Sequence, residues 1–132
     1  MRIEAIELVR VHVPLVRPFR TSYGTEAGRD VTLVHVVTDV AEGWGEDVAM
    51  AEPLYHYEYA ALSNLALRDH LVPRLLAEPE LGDPLDAPRR STEVVRGVQG
   101  YPMAKCAIEA AVLDAACRAL DRSLTSCLRG TT

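Results

Sequence analysis

Apolar positions in the first third of the chain recur with a period of two. From Arg2 to Val13, one face carries Ile3, Ala5, Val9, Val11 and Val13, with Glu7 the exception. The other carries Arg2, Glu4, Arg10 and His12 around Ile6 and Leu8. That alternation marks a half-buried strand, and Pro14 and Pro18 predict its end. VTLVHVVTD, Val31 to Asp39, predicts a second strand; after the turn DVAEG, GWGEDVAM predicts a third. Consecutive strands with tight connections favour an antiparallel meander. The stretch from Val13 to Asp30 breaks the pattern with prolines, arginines, hydroxyls and glycines. Hairpins close in about two to five residues, so this is expected to be a long, mobile working loop.

After Pro53 the period lengthens. Leu54, Tyr57, Ala61, Leu62 and Leu65 recur at helical spacing, and Pro73 is expected to interrupt that helix. The loop AEPELGDPLDAP follows, then a short helix over Arg89 to Val98. The last element is Pro102 to Asp121, with proline suited to a first turn and alanine throughout. Lys105 with Glu109, and Asp114 with Arg118, are predicted i,i+4 pairs. Three strands followed by about three helices define an α+β domain. Ala104, Ala107, Ile108, Ala111, Val112, Ala115, Ala116, Ala119 and Leu120 wrap a wide arc of the last helix. Such a helix is buried on more than one side. It is expected to need cover from beyond this domain, and to drive dimerisation or aggregation without it. The ending LRGTT suggests that a further segment follows Thr132.

Composition narrows the classes. The 132 residues fit one domain, and 48% hydrophobic with 25% charged is an ordinary globular balance. A net charge of -5 argues against nucleic acid and anionic membranes as partners. No apolar run approaches the roughly 20 residues of a bilayer span, so no membrane partner and a cytoplasmic location are expected. Cys106, Cys117 and Cys127 form no CxxC pair and are read as small apolar residues on or near a helix.

A catalytic constellation does not emerge from the residues. His12 and His35 are read as strand histidines with satisfied hydrogen bonds, and His56 and His70 lack ligand spacing. GWGE is read as a bulged or closely packed strand. Glu42, Glu46, Asp47 and Glu52 are read as a solvated rim, because alternation splits them between faces. Glu109 and Asp114 are read as structural.

Three stretches change this picture by their order and spacing: MRIEAIELVRVHVPLVRPFRTSYGT, EGWGEDVAMAEPLY and YPMAKCAIEAAVLDAACRA. Together they resemble the N-terminal capping domain of the enolase superfamily, as found in o-succinylbenzoate synthases and N-acylamino acid (N-succinylamino acid) racemases. The resemblance covers residues 1–132 and is least distinct over residues 66–100. It implies a meander followed by helices, capping a TIM-type barrel that is absent from this chain. It also implies Mg²⁺-assisted abstraction of a proton alpha to a carboxylate, with lysines and metal-binding carboxylates on the barrel. Sites of this superfamily pair a Lys or His base with Mg²⁺ that stabilises the enediolate. A barrel needs roughly 200 further residues, so this chain alone is expected to be inactive, with no catalytic residue, no metal ligand and no bound Mg²⁺. Lys105, the only lysine, lies on the wrong element to be the base.

In the family, two cap loops close the barrel mouth. Carried over, they are Phe19 to Thr25 and Asp47 to Tyr55. Phe19, Met50 and Tyr55 are the expected apolar wall against the substrate, with Arg20, Thr21 and Ser22 as hydrogen-bonding candidates. The implied partners are the barrel, a small-molecule carboxylate substrate and further copies in a homo-oligomer. A dipeptide epimerase or muconate cycloisomerase cap is the neighbouring reading, and a standalone binding or assembly module the non-enzymatic one. Two positions depart from the family pattern: Asp47 replaces a small or sulfur-containing residue, and LRGTT replaces a glycine-rich ending.

Overall fold

Three antiparallel strands form a meander in the order β1 (Ile3–Thr21), β2 (Gly24–Thr38), β3 (Glu42–Asp47). The structure is a computed structural model that describes residues 1–128; the ending at 129–132 lies outside the described residues. Helices α1 (Ala60–Ala66) and α2 (Val72–Ala77) are joined by a π-helical turn, Leu67–Leu71. Then come α3 (Ala87–Val95), the long α4 (Pro102–Ala119) and a short α5 (Leu124–Leu128). The α+β class and the meander stand as expected.

Three local expectations need correction. In β1, Ile3 pairs with Thr38 and Ala5 with Val37, leaving Glu4 as an extra residue. This bulge switches the faces beyond it. Ile6 and Leu8 therefore pack on the core, whereas Val9 and Val13 are exposed. Next, the stretch from Val13 to Asp30 is mostly paired strand. β1 and β2 remain paired as far as Thr21 opposite Gly24, and Ser22 and Tyr23 close the hairpin. Pro14 faces Gly28 and Phe19 faces Glu26, so residues 15–18 bulge out against Ala27. Pro14 and Pro18 are tolerated because β1 is an edge strand and the second lies in the bulge. Finally, the first helix begins at Ala60, leaving Leu54, Tyr55 and Tyr57 exposed on a loop. Pro73 does not end the helical run. It occupies the first turn of α2, where its missing N–H costs little, and the chain widens into the π turn just before it.

The core lies between the sheet and the helices. Val34 and Val36 of β2 meet Leu67, Leu71, Leu75, Ala107, Ile108 and Val112 there. α4 packs on β3 and β2 on one side and on α3 on the other. Its wide apolar arc is thus covered within the domain, so the expected need for outside cover does not follow. Asp114 and Arg118 pair at 3.1 Å as predicted. Lys105 instead donates to the Val98 carbonyl, and its expected pair with Glu109 does not form.

GWGE is a close-packed strand. Gly43 and Gly45 face α4, where a methyl group on Gly45 would stand 2.9 Å from the Ala111 nitrogen and closer still to the Ala107 carbonyl oxygen. The alanines at 107, 111 and 115 present one smooth helix face to these glycines. Trp44 points the other way and stacks on His35 at 4.0 Å between ring centroids. His35 hydrogen-bonds Glu7 at 2.8 Å and Glu42 at 3.2 Å, and His12 bonds Asp30 at 2.8 Å. Both strand histidines are satisfied.

Candidate functional site

The extended β1–β2 hairpin and the loop between β3 and α1 come together at one end of the sheet. Tyr23 at the hairpin tip meets Tyr55 edge-on, 6.5 Å between ring centroids. Beneath them a cleft of about 200 Å³ runs between Thr21, Tyr23 and Thr25 on the hairpin and Met50, Glu52 and Leu54 on the loop. A smaller hollow of about 100 Å³ continues it past Glu26 and Arg29 to Val48.

Of the residues expected from the sequence, Thr21 and Met50 line this cleft. Thr21 also organises the tip, since its Oγ1 accepts from Tyr23 N–H at 3.2 Å. Phe19, Arg20, Ser22 and Tyr55 do not line it and are exposed on the rim, Phe19 by 54% and Tyr55 by 72%. Tyr23, Leu54 and Glu52 are lining residues that the sequence pattern did not single out. Tyr23 sits in the two-residue turn that closes the hairpin, where strand alternation gives no signal.

A buried polar cluster holds the base of the loop. Asp47 is 3% exposed and Glu58 1%, which corrects the assignment of Asp47 to a solvated rim. Gly43, Gly45 and Asp47 alternate inward, while Glu42, Trp44 and Glu46 alternate outward. Asp47 Oδ1 accepts from Ala49 N–H at 3.1 Å, and Ser63 Oγ bridges Asp47 Oδ2 and Glu58 Oε1, the latter at 3.1 Å. Glu58 then accepts from the Met103 and Ala104 amides at 2.8 and 2.9 Å. Those are first-turn donors of α4, whose own N-cap residue, Tyr101, supplies no side-chain cap. Met50 C=O accepts from Ala60 N–H at 2.8 Å and closes the loop at its neck. Burial first, and the Glu58 carboxylate in addition, push the Asp47 pKa above its ordinary 3.8, against the lowering hydrogen bonds from Ser63 and Ala49.

Among the described residues no three His, Cys, Asp or Glu side chains converge as a metal site. Asp47 and Glu58 already spend their oxygens on Ser63 and backbone N–H groups. The described residues thus offer no donor set on which magnesium chemistry could rest. No helix among the described residues is long and apolar enough to cross a membrane.

A three-stranded antiparallel meander backed by helices, with the hairpin tip and the β3–α1 loop converging at one end, defines an α+β domain. The chain belongs to the family "Mandelate racemase / muconate lactonizing enzyme, N-terminal domain", which it matches over residues 5–128. It is 44% identical over 126 residues to an N-succinylamino acid racemase from Amycolatopsis, covering 96% of this chain and 33% of that protein. It is 34% identical over 127 residues to an o-succinylbenzoate synthase from Enterococcus faecalis, covering 95% of this chain and 33% of that one. A crystal structure of an enolase-superfamily member from Enterococcus faecalis superposes with a TM-score of 0.85 at 31% identity, over 100% of this chain and 35% of that one. The chain spans about a third of the length of the curated relatives it matches.

Proposed function

We propose that this domain closes the mouth of a catalytic barrel and sets substrate specificity for racemisation of N-succinylamino acids, or for o-succinylbenzoate synthesis. The observation that carries this reading is the convergence of the hairpin tip and the Met50–Tyr55 loop on one cleft. Met50 supplies a polarisable surface that adapts to varied side chains, and Leu54 and the two tyrosines supply area. Bringing them over a reacting carboxylate excludes water and strengthens the electrostatics around it. Proton abstraction, and the Mg²⁺ that makes such a proton acidic enough, belong in this reading to residues outside the chain.

The test uses the full protein carrying this cap. Met50→Ala should raise KM for N-succinylamino acids by about tenfold with kcat little changed, the mark of lost uniform binding. The 132-residue chain alone should racemise nothing by polarimetry. An unchanged KM in the variant, or turnover by the isolated chain, would overturn the reading.

A further inference from the structure

α4 ends in a turn that folds the chain back on itself. Asp121 takes a left-handed conformation (φ 51°). Its N–H donates to Arg118 C=O at 3.1 Å, and Arg122 N–H donates to Cys117 C=O at 2.9 Å. That is a Schellman arrangement, in which an αL residue stops the helix and satisfies its last carbonyls. Ser123 then starts α5: its Oγ accepts from Ser126 N–H at 3.2 Å, and its C=O accepts from Cys127 N–H at 3.1 Å. Both cysteines are thus placed by backbone devices, Cys117 through its carbonyl and Cys127 through its amide. Their Sγ atoms lie 3.1 Å apart.

We propose that Cys117 and Cys127 are a modification site, a reversible disulfide formed by hydroperoxides that pins α5 to α4. The sulfurs need to close by only about 1 Å to reach a disulfide of about 2.05 Å. Cys127 is the more accessible partner, and Cys117 is only 4% exposed. A hollow of about 200 Å³ beside them, walled by Leu85, Pro88, Leu113 and Leu120, gives a small oxidant a way in.

The chemistry balances in two steps. The Cys127 sulfur attacks the peroxide; its O–O bond breaks, Cys127 becomes a sulfenic acid, and an alcohol or water leaves. Cys117 then attacks the sulfenic sulfur, the S–O bond breaks, and hydroxide leaves as water with the Cys117 proton. Two thiols lose two electrons and the peroxide gains them. Burial first, then the Cys127 contact, pushes the Cys117 thiol up to about 11. It is therefore the slow, resolving partner, and ring closure accelerates as pH rises toward that value. Cys106, exposed on α4, is the internal control.

The test treats the chain with stoichiometric hydrogen peroxide and counts thiols under denaturing conditions. The count should fall from three to one, with a Cys117–Cys127 linked peptide in the non-reducing digest and recovery by dithiothreitol. Cys106→Ser should keep the linkage, and Cys127→Ser, altered at the more accessible position, should abolish it. Closure should also raise the thermal midpoint. A thiol loss that yields only Cys106-linked dimers, sulfinic acid at Cys127, or no linked peptide would overturn the proposal.

Discussion

Ser63 has one hydroxyl proton and two carboxylate neighbours, Asp47 and Glu58. One proton cannot satisfy both, so the cluster needs a second. Its place is Asp47, the carboxyl that burial shifts upward, while Glu58 spends itself on the N-terminus of α4. The sign of the linkage follows. Below about pH 4 the folded and unfolded chains both hold the Asp47 proton, and its contribution to stability is full. As pH rises, the unfolded chain releases the proton first, and stability is lost up to the raised folded value. Asp47→Asn removes the titration and keeps a donor to Ser63 or Glu58. The stability advantage of wild type over the variant should therefore shrink as pH is raised through the range above about 4, read as thermal midpoints. A constant difference across that range would refute a protonated Asp47. The cluster was not legible in the sequence. Glu58 caps a helix that starts more than 40 residues later, its bond to the Met103 amide spanning 45 positions, and no local motif links a carboxylate to amides that distant.

At the scale of elements, β3 meets α4 backbone to backbone. The two glycines of GWGE let the strand approach helix backbone, and the alanine face at 107, 111 and 115 answers them. Gly45→Ala forces backbone apart where no flexible side chain can yield. It should cost about 3 kcal/mol, near the upper end for overpacking. On a domain of this size that lowers the thermal midpoint by about 10 °C, measured by calorimetry. A change under a few degrees would mean that the strand can slide away from α4. This contact was half legible: the sequence suggested close packing for GWGE and a wide apolar arc for α4, but not that each covers the other. The prolines misled for a related reason. Pro14 and Pro18 read as strand stops, yet an edge strand asks fewer donors of its residues and a bulge absorbs the rest. In β1 the alternation was real, but one extra residue at Glu4 exchanged its faces, which periodicity alone cannot reveal.

Across the whole molecule, the same sheet builds both the core and the arm of the proposed lid. β3 pairs with β2 only from Thr32 to Val37, so beyond Val31 the β1–β2 hairpin continues as a two-stranded ribbon. Two-stranded ribbons are marginal in water, and this one carries a bulge at residues 15–18. Its support within the domain is the facing loop, through Tyr23 on Tyr55 and the cleft around Met50. The loop, by contrast, is fixed at its base by Asp47, Ser63, Glu58 and the Met50–Ala60 bond. One half of the proposed lid is thus a soft arm and the other a braced platform, as would suit a closure that must open again. The domain's stability should divide accordingly. Amides of residues 31–37, buried under the helices, should exchange only by global opening, whereas those of residues 19–26 should exchange by local opening, about 10²-fold faster or more. Hydrogen–deuterium exchange with peptide resolution measures both. Tyr55→Ala should speed exchange in the 19–26 arm and leave residues 31–37 unchanged. Equal protection in the two regions, or an arm indifferent to Tyr55, would mean that the hairpin holds itself and that the loop does not brace it.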